Sequence, residues 1–151
     1  MMDRAQYLDL LKRHDDQTHW EWPGGWNTSA YYAAERKFLA LAEDIQQVLG
    51  ERLTVEYGSQ IQDASFHGLL ALPKRCLLEY YIVSLRVSNF ASLATLYDAD
   101  ESVAPACLDK AKDALKRNGY TYLPSWILRE PYPYPKNIGI PNWGVRYFDY
   151  L

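Results

Sequence analysis

Four groupings of residues in this chain have the types that chemistry requires, and their spacing limits what each can do. His14-Asp15-Asp16-Gln17-Thr18-His19 brings imidazoles and carboxylates together, the ligand types of zinc and other transition metals. A site on one helical face needs ligands three or four residues apart. These histidines are five apart with no cysteine beside them, which reads as an exposed helix end running into a polar loop. Asp98-Ala99-Asp100-Glu101 has the Asp-x-Asp form by which hard divalent cations bridge to phosphate. It also stands just before a helical pattern, where acidic side chains cap free amides and oppose the helix dipole. Asp63, Ser65 and His67 are the types of an orienter, a nucleophile and a base. Residues two apart on a strand stand about 6 to 7 Å from one another, however, too far for short side chains to bond directly. No Gly-x-Ser-x-Gly elbow occurs. Glu56, Asp63 and Glu79 could supply an acid/base pair, but charges on strands usually mark the solvated side. The reading is therefore of no catalytic residue, no metal site and no cofactor, with a metal-dependent enzyme using the acidic cluster at 98–101 as one alternative.

Aromatic residues outweigh these groupings. The chain of 151 residues holds five tryptophans and thirteen tyrosines, and many of them stand in Pro/Gly-rich stretches. Trp20-Glu21-Trp22-Pro23-Gly24-Gly25-Trp26 alternates indoles with a carboxylate and a turn, a platform able to stack on a sugar, a base or a protein partner. In Pro131-Tyr132-Pro133-Tyr134-Pro135 the prolines favour an extended conformation that displays Tyr132 and Tyr134 away from each other. Trp20, Trp22, Trp26, Tyr132 and Tyr134 are the expected partner-binding residues, and Trp143 reads as a core or rim aromatic.

Composition narrows the partner. With 16 basic against 19 acidic residues the chain has a net charge of −3 and lacks the basic footprint of a nucleic-acid binder. Its longest strongly apolar stretch, Cys76 to Leu85, is far too short to cross a bilayer. Asp9, Lys12, Arg13, Asp15 and Asp16 break up the start, so no signal-peptide pattern is read there, and a cytoplasmic location is expected. Cys76 and Cys107 have no CxxC spacing and lie in apolar contexts, as buried free thiols would.

These side chains must be held by elements that the hydrophobic periodicity outlines. A short amphipathic helix is predicted over 3–14 and a loop from His14 to Asn27. Tyr31, Ala34, Phe38, Leu41, Ile45 and Val48 recur at spacings of three and four, predicting a helix over 28–49, capped by Asn27, Thr28 or Ser29 and ended by Gly50. From Leu53 to Leu72 the period falls to two, giving two strands joined near Gly58-Ser59. Tyr80 to Ser88 and Leu93 to Tyr97 form a predicted hairpin of two central strands. A helix follows over Ser102 to Asn118, then a strand over Tyr120 to Leu123. The Pro124 to Trp143 stretch reads as an extended ordered loop, and Val145 to Leu151 as a last strand. No repeat or domain boundary is visible. The order implies a single α+β domain: a mostly antiparallel sheet of about five or six strands covered on one face by helices.

At the hairpin Ile82-Val83-Ser84-Leu85-Arg86-Val87-Ser88-Asn89-Phe90 through Leu93-Ala94-Thr95-Leu96-Tyr97, and at the ending Trp143-Gly144-Val145-Arg146-Tyr147-Phe148-Asp149-Tyr150-Leu151, the chain resembles small cytosolic immunity proteins of bacterial polymorphic-toxin systems. That resemblance spans roughly the last 70 residues and implies a non-catalytic protein that binds a cognate toxin domain and occludes its active site. The mildly acidic balance suits a basic nuclease toxin, because complementary fields speed association. The competing expectation from the same rings is a domain that binds carbohydrate or another small molecule.

Overall fold

The computed structural model describes residues 2–16, 27–58, 66–79, 81–88, 91–97, 99–134 and 139–148. Helix α1 spans Arg4–His14 and opens with a capping box: the Asp3 carboxylate accepts from the Gln6 amide, and the Gln6 side chain accepts from the Asp3 amide. Helix α2 spans Thr28–Leu49. Asn27 caps it by accepting from the Ala30 amide at 3.0 Å, and Gly50 ends it in the left-handed conformation at φ +76°. Of the predicted stripe, Phe38, Leu41 and Ile45 are buried and Tyr31, Ala34 and Val48 half-buried, with Ala42 and Leu49 buried beside them.

The sheet follows in chain order: β1 (Val55–Gly58), β2 (His67–Ala71), β3 (Ser84–Val87) and β4 (Leu93–Thr95) are antiparallel neighbours, and β5 (Thr121–Tyr122) pairs parallel to β4. A parallel neighbour needs a crossover, and helix α3 (Pro105–Arg117) supplies it, with proline at the start where a missing N–H costs nothing. The fold is thus α+β around an open, mostly antiparallel five-stranded sheet.

Alternation along the strands sends side chains to two cores. Leu70, Leu85, Val87, Ala94 and Leu96 join Phe38, Leu41 and Ile45 of α2 and Ala114 and Leu115 of α3 in the first. Gly68 lets the helix come close, since a Cβ there would sit 2.8 Å from the Phe38 ring and 2.9 Å from Val87. Leu93 points to the other face and joins the second core, made with Tyr7 and Leu11 of α1, Ile127 and Leu128 of the short helix α4 (Ser125–Leu128), and Trp143, Tyr147 and Phe148 of helix α5 (Trp143–Phe148). Helices therefore cover one face along its length, as expected, and the β4 end of the other face as well.

Several expectations are corrected. Cys76 and Cys107 are joined by a disulfide with their Cα atoms 5.6 Å apart, so they are not free thiols. Apolar surroundings suit a buried thiol and a buried disulfide equally, and the 31-residue separation left the proximity invisible in sequence. The expected strand from Val145 to Leu151 is helix as far as Phe148, because Trp143, Tyr147 and Phe148 meet one core at helical spacing, and 149–151 lie outside the described residues. The Pro124 to Trp143 stretch is not wholly extended: it contains α4 and a bridge pairing Pro131 with Asn142.

Candidate functional site

Of the five aromatic residues expected to bind a partner, Trp20, Trp22 and Trp26 lie outside the described residues. Tyr132 and Tyr134 are not displayed apart. Their rings meet edge to face at 5.2 Å, and both pack against Trp143, at 4.8 and 6.5 Å. Tyr132 is buried and Tyr134 half-buried against the second core. Edge-to-face stacking outweighed the tendency of alternating prolines to splay their neighbours. Trp143 is fully buried.

The polar reading of residues 14–19 fails at Asp15. Its carboxylate is 2% exposed, receives a 2.7 Å bond from Arg146 Nε and accepts the Tyr132 hydroxyl. Arg146, itself 1% exposed, also donates to the Asp16 carbonyl at 3.1 Å. Tyr147 donates to the Leu11 carbonyl at 2.6 Å. Burial, and then the bond to Asp15, push the Tyr132 phenol far up from its ordinary value, and burial does the same for Tyr147. This network ties the end of α1 to α5. It is a fixed structural pairing, with its carboxylate already committed to a cation.

In the acidic cluster Glu101 stands exposed, while Asp100 is committed within the fold. Asp100 accepts from the Tyr122 hydroxyl and from the Ser125 amide, each at 2.7 Å, so it caps α4 rather than the α3 start that sequence suggested. Burial, and then this bond, raise the Tyr122 phenol. Asp98 falls outside the described residues, as do Asp63 and Ser65. His67, expected on the wet side of its strand, is 2% exposed, with Nε2 3.8 Å from Glu56 across the β1/β2 pair. Glu79 stands exposed at the rim of the groove described next. Among the described residues no group of three His, Cys, Asp or Glu side chains converges to hold a metal ion.

The feature that sequence reasoning missed lies between β2 and β3. Leu78, Tyr81 and Ile82 are 61%, 45% and 83% exposed and line one open groove of about 620 Å³ with Ala71, Leu72 and Leu77. Thr54, Lys74 and Glu79 supply its few polar groups. The local backbone explains why these side chains face outward. After the 3-10 turn Lys74–Cys76, Leu77 bridges to Val103, the Leu78 amide donates to the Ser102 carbonyl at 2.8 Å, and the Ala104 amide donates to the Cys76 carbonyl at 2.7 Å. The disulfide fastens the same place, and the Tyr81 hydroxyl bonds the Ser102 hydroxyl. The segment is thereby clamped against the approach to α3 while Leu78 and Ile82 remain in water. The available signal was the run Leu77-Leu78-Glu79-Tyr80-Tyr81-Ile82, which is apolar at five of six positions and so has no single inward face.

No helix among the described residues is long and apolar enough to cross a membrane. Comparison with protein-family models, with curated proteins and with solved structures found no match for this chain.

Proposed function

We propose that this domain is a non-catalytic binding protein that docks a cognate bacterial toxin domain through the Leu78/Tyr81/Ile82 groove and covers its active site. The observation that carries the reading is the exposure of three large apolar side chains side by side on a clamped backbone. Fully burying one such side chain contributes about 1.5 to 3 kcal/mol, and a contiguous group of them rimmed by polar residues is the usual centre of a protein interface. Ile82 also begins the segment on which the resemblance to immunity proteins rests. Trp20, Trp22 and Trp26 stay in the proposal as a second contact on the strength of their sequence. Tyr132 leaves it, since its ring is spent on the core. The disulfide favours an oxidising compartment over the cytoplasm as the place where the domain works.

The test is inhibition, not capture alone. A toxin domain that co-purifies from native lysate is titrated with the wild-type chain and with Leu78→Asp and Ile82→Asp, whose melting temperatures should match the wild type. Stoichiometric loss of toxin activity with the wild type, weakened at least about tenfold by either variant, supports the proposal. Equal inhibition by the variants removes the groove from the interface, and a bound partner left active removes neutralisation.

One observation favours a second reading. A groove of about 620 Å³ with a mostly apolar lining falls in the range of roughly 300 to 1,000 Å³ typical of small-molecule sites. An apolar ligand displacing an environment-sensitive dye, with displacement lost in Ile82→Asp, would favour that reading.

A further inference from the structure

A separate pocket of about 280 Å³ lies between α2 and the β3/β4 turn, lined by Ala30, Ala33 and Ala34 on the helix and by Phe66, Val87 and Ser92 opposite. Lys37 reaches into it. The ammonium donates to the Ser92 hydroxyl and, at 3.1 Å, to the Gly119 carbonyl, and it stands 4.7 Å over the Tyr120 ring. Gly119 is what admits it: φ there is +78°, and a Cβ would sit 3.3 Å from the Lys37 nitrogen. Ser92 and the adjacent pair Gly119 and Tyr120 come from two places in the chain and converge on one cation. All are neutral. Among the described residues no carboxylate pairs with Lys37, in contrast to Arg146 with Asp15 and Arg117 with Asp44. Desolvation lowers the Lys37 ammonium from its ordinary value, as expected of a half-buried cation held by neutral groups.

We propose that this pocket is a receptor for a small carboxylate with a short apolar tail, in which Lys37 binds the carboxylate and the alanine face of α2, Phe66 and Val87 hold the tail. Two of the three ammonium N–H groups are taken by Ser92 and Gly119. Lys37 also lines the pocket, so a carboxylate held there would meet the ammonium in a charge-assisted bond in a partly dry site. A monoanion fits the site better than a dianion such as phosphate. One cation balances one charge, and apolar walls make a second, uncompensated charge costly. The volume falls below that of drug-sized sites, which selects a tail of a few carbons.

Butyrate is the probe, with butanol and butylamine as controls of similar tail, followed by amide chemical shifts at Ala30, Ala33, Ser92 and Gly119 in the intact chain. The expected result is saturable shifts with butyrate and none with either control, and affinity reduced at least about tenfold in Lys37→Met. Ala33→Phe provides a second variant at an exposed helix position that keeps Lys37 but fills the pocket, and it should weaken binding to a similar degree should Lys37→Met not fold. No saturable shift with butyrate in the wild type overturns the proposal. So does butanol binding as well as butyrate, which would make the pocket merely apolar, or unchanged affinity in Ala33→Phe.

Discussion

The two cores of this molecule are built by different means. On the α2/α3 face, mostly aliphatic side chains at helical and strand periods meet around Phe38, Phe66 and Tyr120. On the α1/α5 face, Tyr7, Tyr132, Trp143, Tyr147 and Phe148 dominate, and a buried ion pair runs through them. Tyrosine explains the contrast. A ring with a hydroxyl can be buried only where an acceptor waits, and Asp15 and the Leu11 carbonyl are those acceptors. An aromatic-rich, proline-rich segment is therefore as much a sign of a polar-laced core as of a recognition surface.

Breaking the ion pair should separate the two cores most sharply. Arg146→Met leaves the Asp15 carboxylate buried without its cation and should cost about 3 to 5 kcal/mol in urea unfolding, whereas the double change Asp15→Leu with Arg146→Met should recover most of that loss. A loss of under about 0.5 kcal/mol, the scale of surface substitutions, would mean that the second core does not depend on the pair. Next in size is Cys107→Ser on the first core's side. Opening a loop of 31 residues should cost about 3 to 4 kcal/mol, read as the difference in unfolding free energy with and without the bond. Gly68→Ala probes how closely the aliphatic core is packed. The added methyl meets Phe38 and Val87, and overpacking of this kind costs about 1 to 3 kcal/mol.

The smallest effect concerns the clamp between α2 and α3. Asp44 accepts from Arg117 at 3.0 and 3.1 Å and from Asn118 at 2.8 Å, and the Arg117 guanidinium holds its carboxyl below the ordinary value. A depressed carboxyl stabilises the fold above the unfolded-state value, and that contribution fades as pH falls below about 4 through the folded value. Wild type should therefore lose stability over that interval more than Asp44→Asn does, and added salt should shrink the difference.

Much of the fold was legible because its signals are local. The α2 stripe, the Asn27 and Gly50 caps and the β3/β4 alternation each lie within one stretch of chain. What escaped depends on residues far apart. Asp15 and Arg146 are 131 positions apart and each looks solvated in its own neighbourhood. Asp100 caps a helix 25 residues onward, not the nearer one. The β period correctly placed Phe66, Gly68 and Leu70 inward but sent His67 to water, because alternation names a face without saying what covers it. At the groove, Ile82 was counted with an apolar strand and Leu78 only with the apolar stretch Cys76 to Leu85. Their exposure follows from hydrogen bonds to Ser102 and a bond from Cys76 to Cys107, which no window of sequence contains. Lys37 was hidden in the same way, on a helix whose neighbouring charges are wet.

The pairing of α1 with α5 also fixes an order of events during synthesis. Domains begin to fold while the chain is still emerging, at about 5 to 20 residues per second. The first core has all its strands once Tyr122 is out of the ribosome. Tyr7 and Leu11 emerge more than a hundred residues before Ile127, Trp143 and Tyr147, which cover them. Until those residues emerge, α1 lacks the side chains that bury its apolar edge, and the Arg146–Asp15 pair forms only after them.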